Sequence, residues 1–333
     1  MDTVRWGILG CGDVTETKSG PGFQKARGSE LVAVMRRNAD LAESYAKRHG
    51  VPKWYSDADE LIHDKDVDAV YIATRPDTHR EYALRVARAG KPCYVEKPMG
   101  YGYREGSQMV DAFRSAGIPL FVAYYRRALD KYVAVKEMIN KGEIGTVRFV
   151  RVTMQRTPDV TPGAKDRAEL PWRLQREFAG GGLIMDVGSH VLDLLDFYFG
   201  PIVNVQGMAS NQAGLYEVED TVSGHWEFES GIHGVGVWCF VSYDTEDHID
   251  IFGTEGQIRL SVLNVSEPVR ILTDGKAREV SFDPPEHVQQ PLIQTVVDHL
   301  RGVGLCPSTG ESALRTDWVL GQLQSAVNPA GAG

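Results

Sequence analysis

The chain has 333 residues, 42% hydrophobic and 24% charged, with a formal net charge of −9; a single core stops growing near roughly 250 to 300 residues, so about two folded domains are expected and disorder is not. The acidic balance disfavours general affinity for nucleic acid or for an anionic membrane, and Cys11, Cys93, Cys239 and Cys306 form no CxxC pair that would suggest zinc or a redox dithiol. No signal peptide is apparent in "MDTVRWGILG" and no apolar run approaches the ~20 residues of a membrane span, so a cytoplasmic protein handling small molecules is expected.

Through about residue 120, short apolar runs alternate with helical patterns. "VRWGILG", "SELVAVM", "VDAVYIAT", "KPCYVEKP" and "IPLFVAYY" read as strands. "ADLAESYAKRHG" reads as a helix closed by Gly50, and "DTHREYALRVARAG" as one with Tyr82, Val86 and Ala89 on one face and Gly90 at its end. This alternation predicts an α/β Rossmann domain over 1–124, with a doubly wound parallel sheet. From about residue 145, "VRFVRVTMQR", "VNVQGMAS", "VSGHWEFES", "GIHGVGVWCFVSY", "DHIDIFG", "GQIRLSV" and "VRILTD" follow one another as strands. They predict an α+β domain over 125–333 with a large, mostly antiparallel open sheet. One helix, "GGLIMDVGSHVLDLLDFYFG", interrupts the run, two more around 292–301 and 311–326 close the chain, and the tail "NPAGAG" reads as a frayed end.

Gly10-Cys11-Gly12 lies between the first strand and a helix start, with Asp13 as its cap and Val14 beyond. Glycine suits a tight turn whose backbone amides approach a pyrophosphate. The third small residue of that pattern would fall at Thr15, and Gly20-Pro21-Gly22 should kink or restart the helix. About 20 residues on, where an acid usually binds the ribose hydroxyls, stands Arg36. A guanidinium there suits a ribose 2′-phosphate, and Arg37 could lie on the adenine face.

Glu96 and Lys97 fall at the C-terminal edge of the sheet, where ligands of open α/β folds bind. Lys97 offers a positive charge beside an oxygen that changes its charge, and Glu96 an acceptor for a cofactor hydroxyl or amide. In the second domain Asp186 and His190 are four apart, with Asp193 three further on, so on an α-helix they share a stripe. The imidazole is a fit general acid or base, and a cleft between the domains becomes the natural site. Gly180-Gly181-Gly182 would let the backbone pack closely against another surface, such as a nicotinamide edge. Each feature taken singly also fits an ordinary role: solvated loop arginines, a surface Glu-Lys pair before a proline, a structural histidine.

Together, the glycine turn, "EKP" and "GGGLIMDVGSHVLDLL" resemble the glucose-fructose oxidoreductase and inositol dehydrogenase family, Gfo/Idh/MocA, over essentially the whole chain. The resemblance implies Lys97, Asp186 and His190 as the catalytic set: His190 moving a proton, Lys97 polarising the oxygen, and Asp186 positioning the histidine and a substrate hydroxyl. It implies that Thr74, Pro76 and His79 belong to a loop beneath the nicotinamide, with Asp77 where the family often has Asn. Trp172 and Arg173 match a pair that borders cofactor and substrate in some NADP-dependent members. Tyr125, Arg126 and His287 are further substrate-binding candidates.

The expected activity is hydride transfer between nicotinamide and a carbonyl or hydroxyl carbon of a sugar, cyclic polyol or related molecule, with NADP(H) preferred over NAD(H) and no metal. A metal enzyme built on Asp186, His190 and Asp193, and a noncatalytic NADP-binding regulator, are the alternatives. "GIHGVGVWCFVSY" is apolar on both faces, and with the resemblance this implies a homodimer or homotetramer joined through the second-domain sheet.

Overall fold

The computed structural model describes residues 2–158, 160 and 170–325; the expected frayed tail lies outside them. The chain forms two units, Met1–Leu129 with Pro285–Leu314, and Asp130–Pro284 with Arg315–Gly333.

The first unit contains β1 (Val4–Leu9), α1 (Asp13–Thr17), α2 (Gly20–Lys25), β2 (Ser29–Met35), α3 (Ala39–His49), β3 (Lys53–Tyr55), α4 (Ala58–His63), β4 (Ala69–Ile72), α5 (Pro76–Arg88), β5 (Cys93–Val95), α6 (Tyr103–Ala116) and β6 (Leu120–Val122). Its six strands are all parallel, in the order β3-β2-β1-β4-β5-β6. That is the Rossmann order, and the strand sequence reverses beside β1. Strands such as β4, with all four residues buried, read as continuous apolar runs because both sheet faces are covered. Sequence also explains where helices stop. Asn38 caps α3 by accepting from the Leu41 amide at 3.0 Å, and Gly50 ends it at φ 65°. The edge strand β3 was not expected, since three half-exposed residues carry no periodicity.

The second unit contains α7 (Asp130–Asn140), β7 (Val147–Gln155), α8 (Arg176–Ala179), α9 (Ser189–Phe199), β8 (Ile202–Ser210), β9 (Thr221–Phe228), β10 (His233–Cys239), β11 (Glu246–Gly253), β12 (Gly256–Leu260), β13 (Val269–Thr273) and β14 (Lys276–Val280). The eight strands are ordered β14-β13-β12-β11-β7-β10-β9-β8, with β7 and β10 parallel and every other pair antiparallel. Val150, Val152, Met154, Trp238, Ile249 and Ile251 fill the covered side. β14 was also missed, because "KAREV" is a charged, exposed edge strand.

Two findings depart from the expected organisation. First, α10 (Gln290–Leu300) belongs to the first unit, although all of 125–333 was expected in the second. Its buried Leu292, Ile293, Val296 and Val297 share a core with Trp6, Phe23 and Tyr71, and α11 (Gly310–Gln324) begins in the first unit as well. An amphipathic stripe demands burial without naming the surface that buries it. Second, the single α-helix expected over "GGLIMDVGSHVLDLLDFYFG" opens with a π-helical turn at Ile184–Gly188 that runs directly into α9, while the short α8 precedes the stretch. The stretch Arg176–Phe199 is long and apolar enough to cross a membrane, yet 83% of its most apolar window is buried in the fold, so its apolarity serves a core.

Candidate active site

The glycine turn follows β1 at the C-terminal edge of the first sheet. Gly10 has φ +91°, and a Cβ there would stand 2.7 Å from Thr74 Cγ2 and 3.0 Å from the Thr74 amide. The turn is therefore pressed against the loop after β4. Gly12 is open instead, since among the described residues a Cβ would meet only the Gly10 carbonyl at 3.9 Å. Beyond it the first amides of α1, Asp13 and Val14, have no intrahelical acceptor. Thr15 replaces the third glycine without loss: its hydroxyl donates to the Gly12 carbonyl at 2.7 Å, and its own carbonyl accepts from Tyr45 Oη at 2.8 Å. The carbonyl also leaves no room for a side chain at Gly20, where the chain restarts as α2. The Cys11 thiol is pushed up to about 11 by burial and is no nucleophile near neutral pH.

Arg36 leaves the end of β2 half-buried, and its Nη1 donates to the Cys11 carbonyl at 3.4 Å. Arg37 is exposed. Among the described residues neither arginine has a carboxylate at ion-pair distance. The turn thus presents backbone amides and an unpaired guanidinium, a set that fits the phosphates of a dinucleotide.

At the end of β5, Lys97 is half-buried and joined to Pro98 by a cis peptide bond. Glu96 is 8% exposed, and its carboxylate is already engaged. Oε1 accepts from Tyr71 Oη and from Gln289 Nε2, each at 2.6 Å, and Oε2 accepts from the Lys97 amide at 3.2 Å. Its expected role as an acceptor for cofactor is thereby largely replaced by an internal one.

His79, expected beneath a nicotinamide, is fully buried. Its Nδ1 lies 3.0 Å from the Pro98 carbonyl and its Nε2 2.9 Å from the Thr74 carbonyl, so the ring is packed between two loops, its one N–H bonding one of the two carbonyls, with no free edge for a ligand. Burial lowers its pKa. Thr74 accepts from the Thr78 hydroxyl at 2.8 Å, Pro76 is buried in the first turn of α5, and Asp77 pairs with Arg75 at 3.4 Å.

His287 belongs to the first unit, against α1 and α2. Lys25 Nζ lies 2.8 Å from its Nε2, which must accept, so Nδ1 carries the proton and donates to the Thr17 carbonyl at 2.6 Å. Both nitrogens are consumed in packing, contrary to the substrate role expected from sequence. Tyr125 and Arg126 lie in a 3-10 turn after β6, with the buried guanidinium 4.8 Å from the Tyr125 ring centroid.

In the second unit, Trp172, Arg173 and Asp186 come together. Arg173 Nε lies 3.0 Å from Asp186 Oδ2, and the guanidinium stands over the Trp172 ring, 4.5 Å from its centroid. Asp186 occupies the π-helical turn, so its four-residue spacing to His190 is not one α-helical turn as expected. His190 sits in the first turn of α9, 5% exposed. The glycine run before them serves another purpose than the expected one. A Cβ at Gly182 would strike the Glu219 carbonyl, and Glu219 Oε1 accepts from the Gly182 amide at 2.7 Å and from Gln324 Nε2 at 2.6 Å. Those glycines therefore dock on Glu219, which no sequence motif had singled out.

A family model described as the oxidoreductase family, NAD-binding Rossmann fold, matches residues 4–124, and one for the GFO/IDH/MocA C-terminal domain matches 132–259. "Oxidoreductase P35" of Formosa agariphila is 36% identical over 312 residues, 93% of this chain and 95% of that one. The 1,5-anhydro-D-fructose reductase of Ensifer adhaerens is 30% identical, with 99% and 97% covered, and the mouse trans-1,2-dihydrobenzene-1,2-diol dehydrogenase 30% identical, with 85% and 80% covered. In fold, the chain resembles levoglucosan dehydrogenase in complex with NADH and levoglucosan, at TM-score 0.84 with 23% identity and 97% of each chain covered. The glycine turn at the sheet's reversal point, the two-unit architecture and these likenesses agree: the chain belongs to the GFO/IDH/MocA family of oxidoreductases, with an NAD-binding Rossmann domain at its N-terminal side.

Proposed function

We propose that the protein is an NADP(H)-dependent oxidoreductase acting on a carbonyl or hydroxyl carbon of a sugar, cyclic polyol or related small molecule. The observation that carries the cofactor choice is Arg36, unpaired with any described carboxylate and bonded to the carbonyl of Cys11 inside the glycine turn. An acid at this place would repel a 2′-phosphate, whereas a guanidinium forms two charge-assisted bonds with it. The substrate class rests on the relatives, a reductase of anhydrofructose and dehydrogenases of a cyclic diol among them.

In this reading the backbone of Gly10, Cys11, Gly12, Asp13 and Val14 holds the pyrophosphate, Arg37 covers the adenine, and Thr74 and Pro76 border the nicotinamide. When bound, the nicotinamide supplies or accepts the hydride. Lys97 stabilises negative charge on the substrate oxygen, and His190 gives that oxygen a proton or takes one from it. Asp186, its carboxylate direction held by Arg173, positions the histidine and a substrate hydroxyl. Trp172, Tyr125 and Arg126 are assigned to substrate contact.

Titration with NADPH and NADH, followed by turnover of ketoses, cyclic ketones and dicarbonyl sugars, tests the reading. Arg36→Asp should weaken NADPH binding by about 10- to 100-fold, the worth of one charge-assisted phosphate pair, and leave NADH nearly unchanged. An NADH preference in the unaltered protein, or an equal loss for both nucleotides, would refute the cofactor assignment.

We further propose that the protein is a homodimer or homotetramer through the open face of the eight-stranded sheet. Phe149, Val235, Val237, Met208 and Leu272 share that face by strand register and are all exposed.

A further inference from the structure

We propose that Gln289 and Tyr71 are positioning residues for Lys97, acting through the carboxylate of Glu96. The inference rests on the role given to Lys97 above. β5 is only three residues long, and its ladder to β4 ends with the Glu96 amide donating to the Ile72 carbonyl at 2.9 Å. Lys97 lies beyond that ladder. Its backbone is instead held by the side chain of the preceding residue, through the 3.2 Å bond from its amide to Glu96 Oε2.

A buried carboxylate is costly unless it is bonded, and here two further donors converge on the other oxygen. Tyr71, fully buried in β4, gives its hydrogen to Oε1 at 2.6 Å. Gln289, 1% exposed at the start of α10, gives its amide hydrogen to the same atom at 2.6 Å. The amide cannot turn over without loss, because Tyr94 Oη donates to Gln289 Oε1 at 3.2 Å. Burial holds both phenols protonated and therefore able to donate. On the far side the buried His79 ring packs against the Pro98 carbonyl, its Nδ1 at 3.0 Å. The lysine thus leaves the sheet from a backbone fixed on both sides.

The test uses Gln289→Ala, Tyr71→Phe and Glu96→Ala in the full chain. Each of the first two should lower kcat by about 10- to 100-fold, the effect of a displacement near 1 Å, with KM for the nicotinamide nucleotide changed by less than about threefold. In the Glu96→Ala background neither should lower kcat further, because residues that act through one group are not additive. A lower Tm with kcat unchanged, or additive losses, would overturn the proposal. Tyr71→Phe removes only an oxygen and keeps the fold if Gln289→Ala does not. Amide hydrogen exchange of residues 96–100 in the nucleotide-free protein should quicken by about tenfold or more in Gln289→Ala. Unchanged exchange would overturn the proposal whether or not any substrate is turned over, so its failure is separable from failure of the proposed activity.

Discussion

Two neighbouring glycines of the same turn should respond to alanine in opposite ways. Gly12 has φ −123° and ψ −158°, extended backbone open to any residue, and among the described residues a Cβ there meets nothing nearer than 3.9 Å. Gly12→Ala should therefore fold as well as the parent, or gain about 0.4–1 kcal/mol by restricting the unfolded chain. At Gly10 the φ of +91° costs a side chain about 1–2 kcal/mol, and overpacking against Thr74 costs a further 1–3 kcal/mol or so. Gly10→Ala should lose about 2–5 kcal/mol. Nucleotide affinity should fall in both, and in Gly12→Ala without any loss of fold, because the methyl occupies the space through which a pyrophosphate would reach the backbone. A decrease of about 10- to 100-fold corresponds to roughly 1.4–2.8 kcal/mol. Thermal unfolding without nucleotide and fluorescence titration with NADPH separate the two effects. If Gly12→Ala binds NADPH and NADH as tightly as the parent, the turn does not cradle a pyrophosphate; if Gly10→Ala is as stable as the parent, its packing on Thr74 is not what requires glycine.

Asp317 is fully buried, and neither of its oxygens has a hydrogen-bond partner among the described residues. Burial, together with Asp193, raises its pKa well above the ordinary carboxylate value, so the folded state binds its proton more tightly than the unfolded chain does. Stability from this group is complete below the ordinary carboxylate range and is lost as pH rises toward the folded pKa, each unit of difference being worth about 1.4 kcal/mol. Asp317→Asn should accordingly gain in Tm over the parent as pH goes from about 5 to about 8, and a pH-independent gap would disprove it. Arg173→Ala should cost under about 1 kcal/mol of stability, since the guanidinium is half exposed, yet lower kcat/KM by about tenfold or more. Arg173→Lys should not rescue it, because lysine lacks the planar group that stacks on Trp172 while reaching Asp186; a kcat/KM within twofold of the parent would remove Arg173 from the site. Val235→Glu with Val237→Glu should yield a monomer by sedimentation, and an oligomer that persists would exclude the open sheet face as the interface.

Local chemistry made much of this protein readable from its residues. Buried parallel strands, the stop at Gly50 and the glycine turn each depend on neighbours a few positions away, so their signals lie side by side in the chain. The family followed from such pieces in combination. Edge strands β3 and β14 escaped because an exposed strand needs no apolar alternation. Tertiary structure alone decided which surface receives α10, that a π-helical turn underlies Asp186, and that Glu96 is answered by Gln289 from 193 residues away. It also decided the histidines. An imidazole's chemistry is the same in every sequence, but backbone carbonyls stand at both ring nitrogens of His79, and the Thr17 carbonyl and the Lys25 ammonium at those of His287, and only the folded chain brings these groups there.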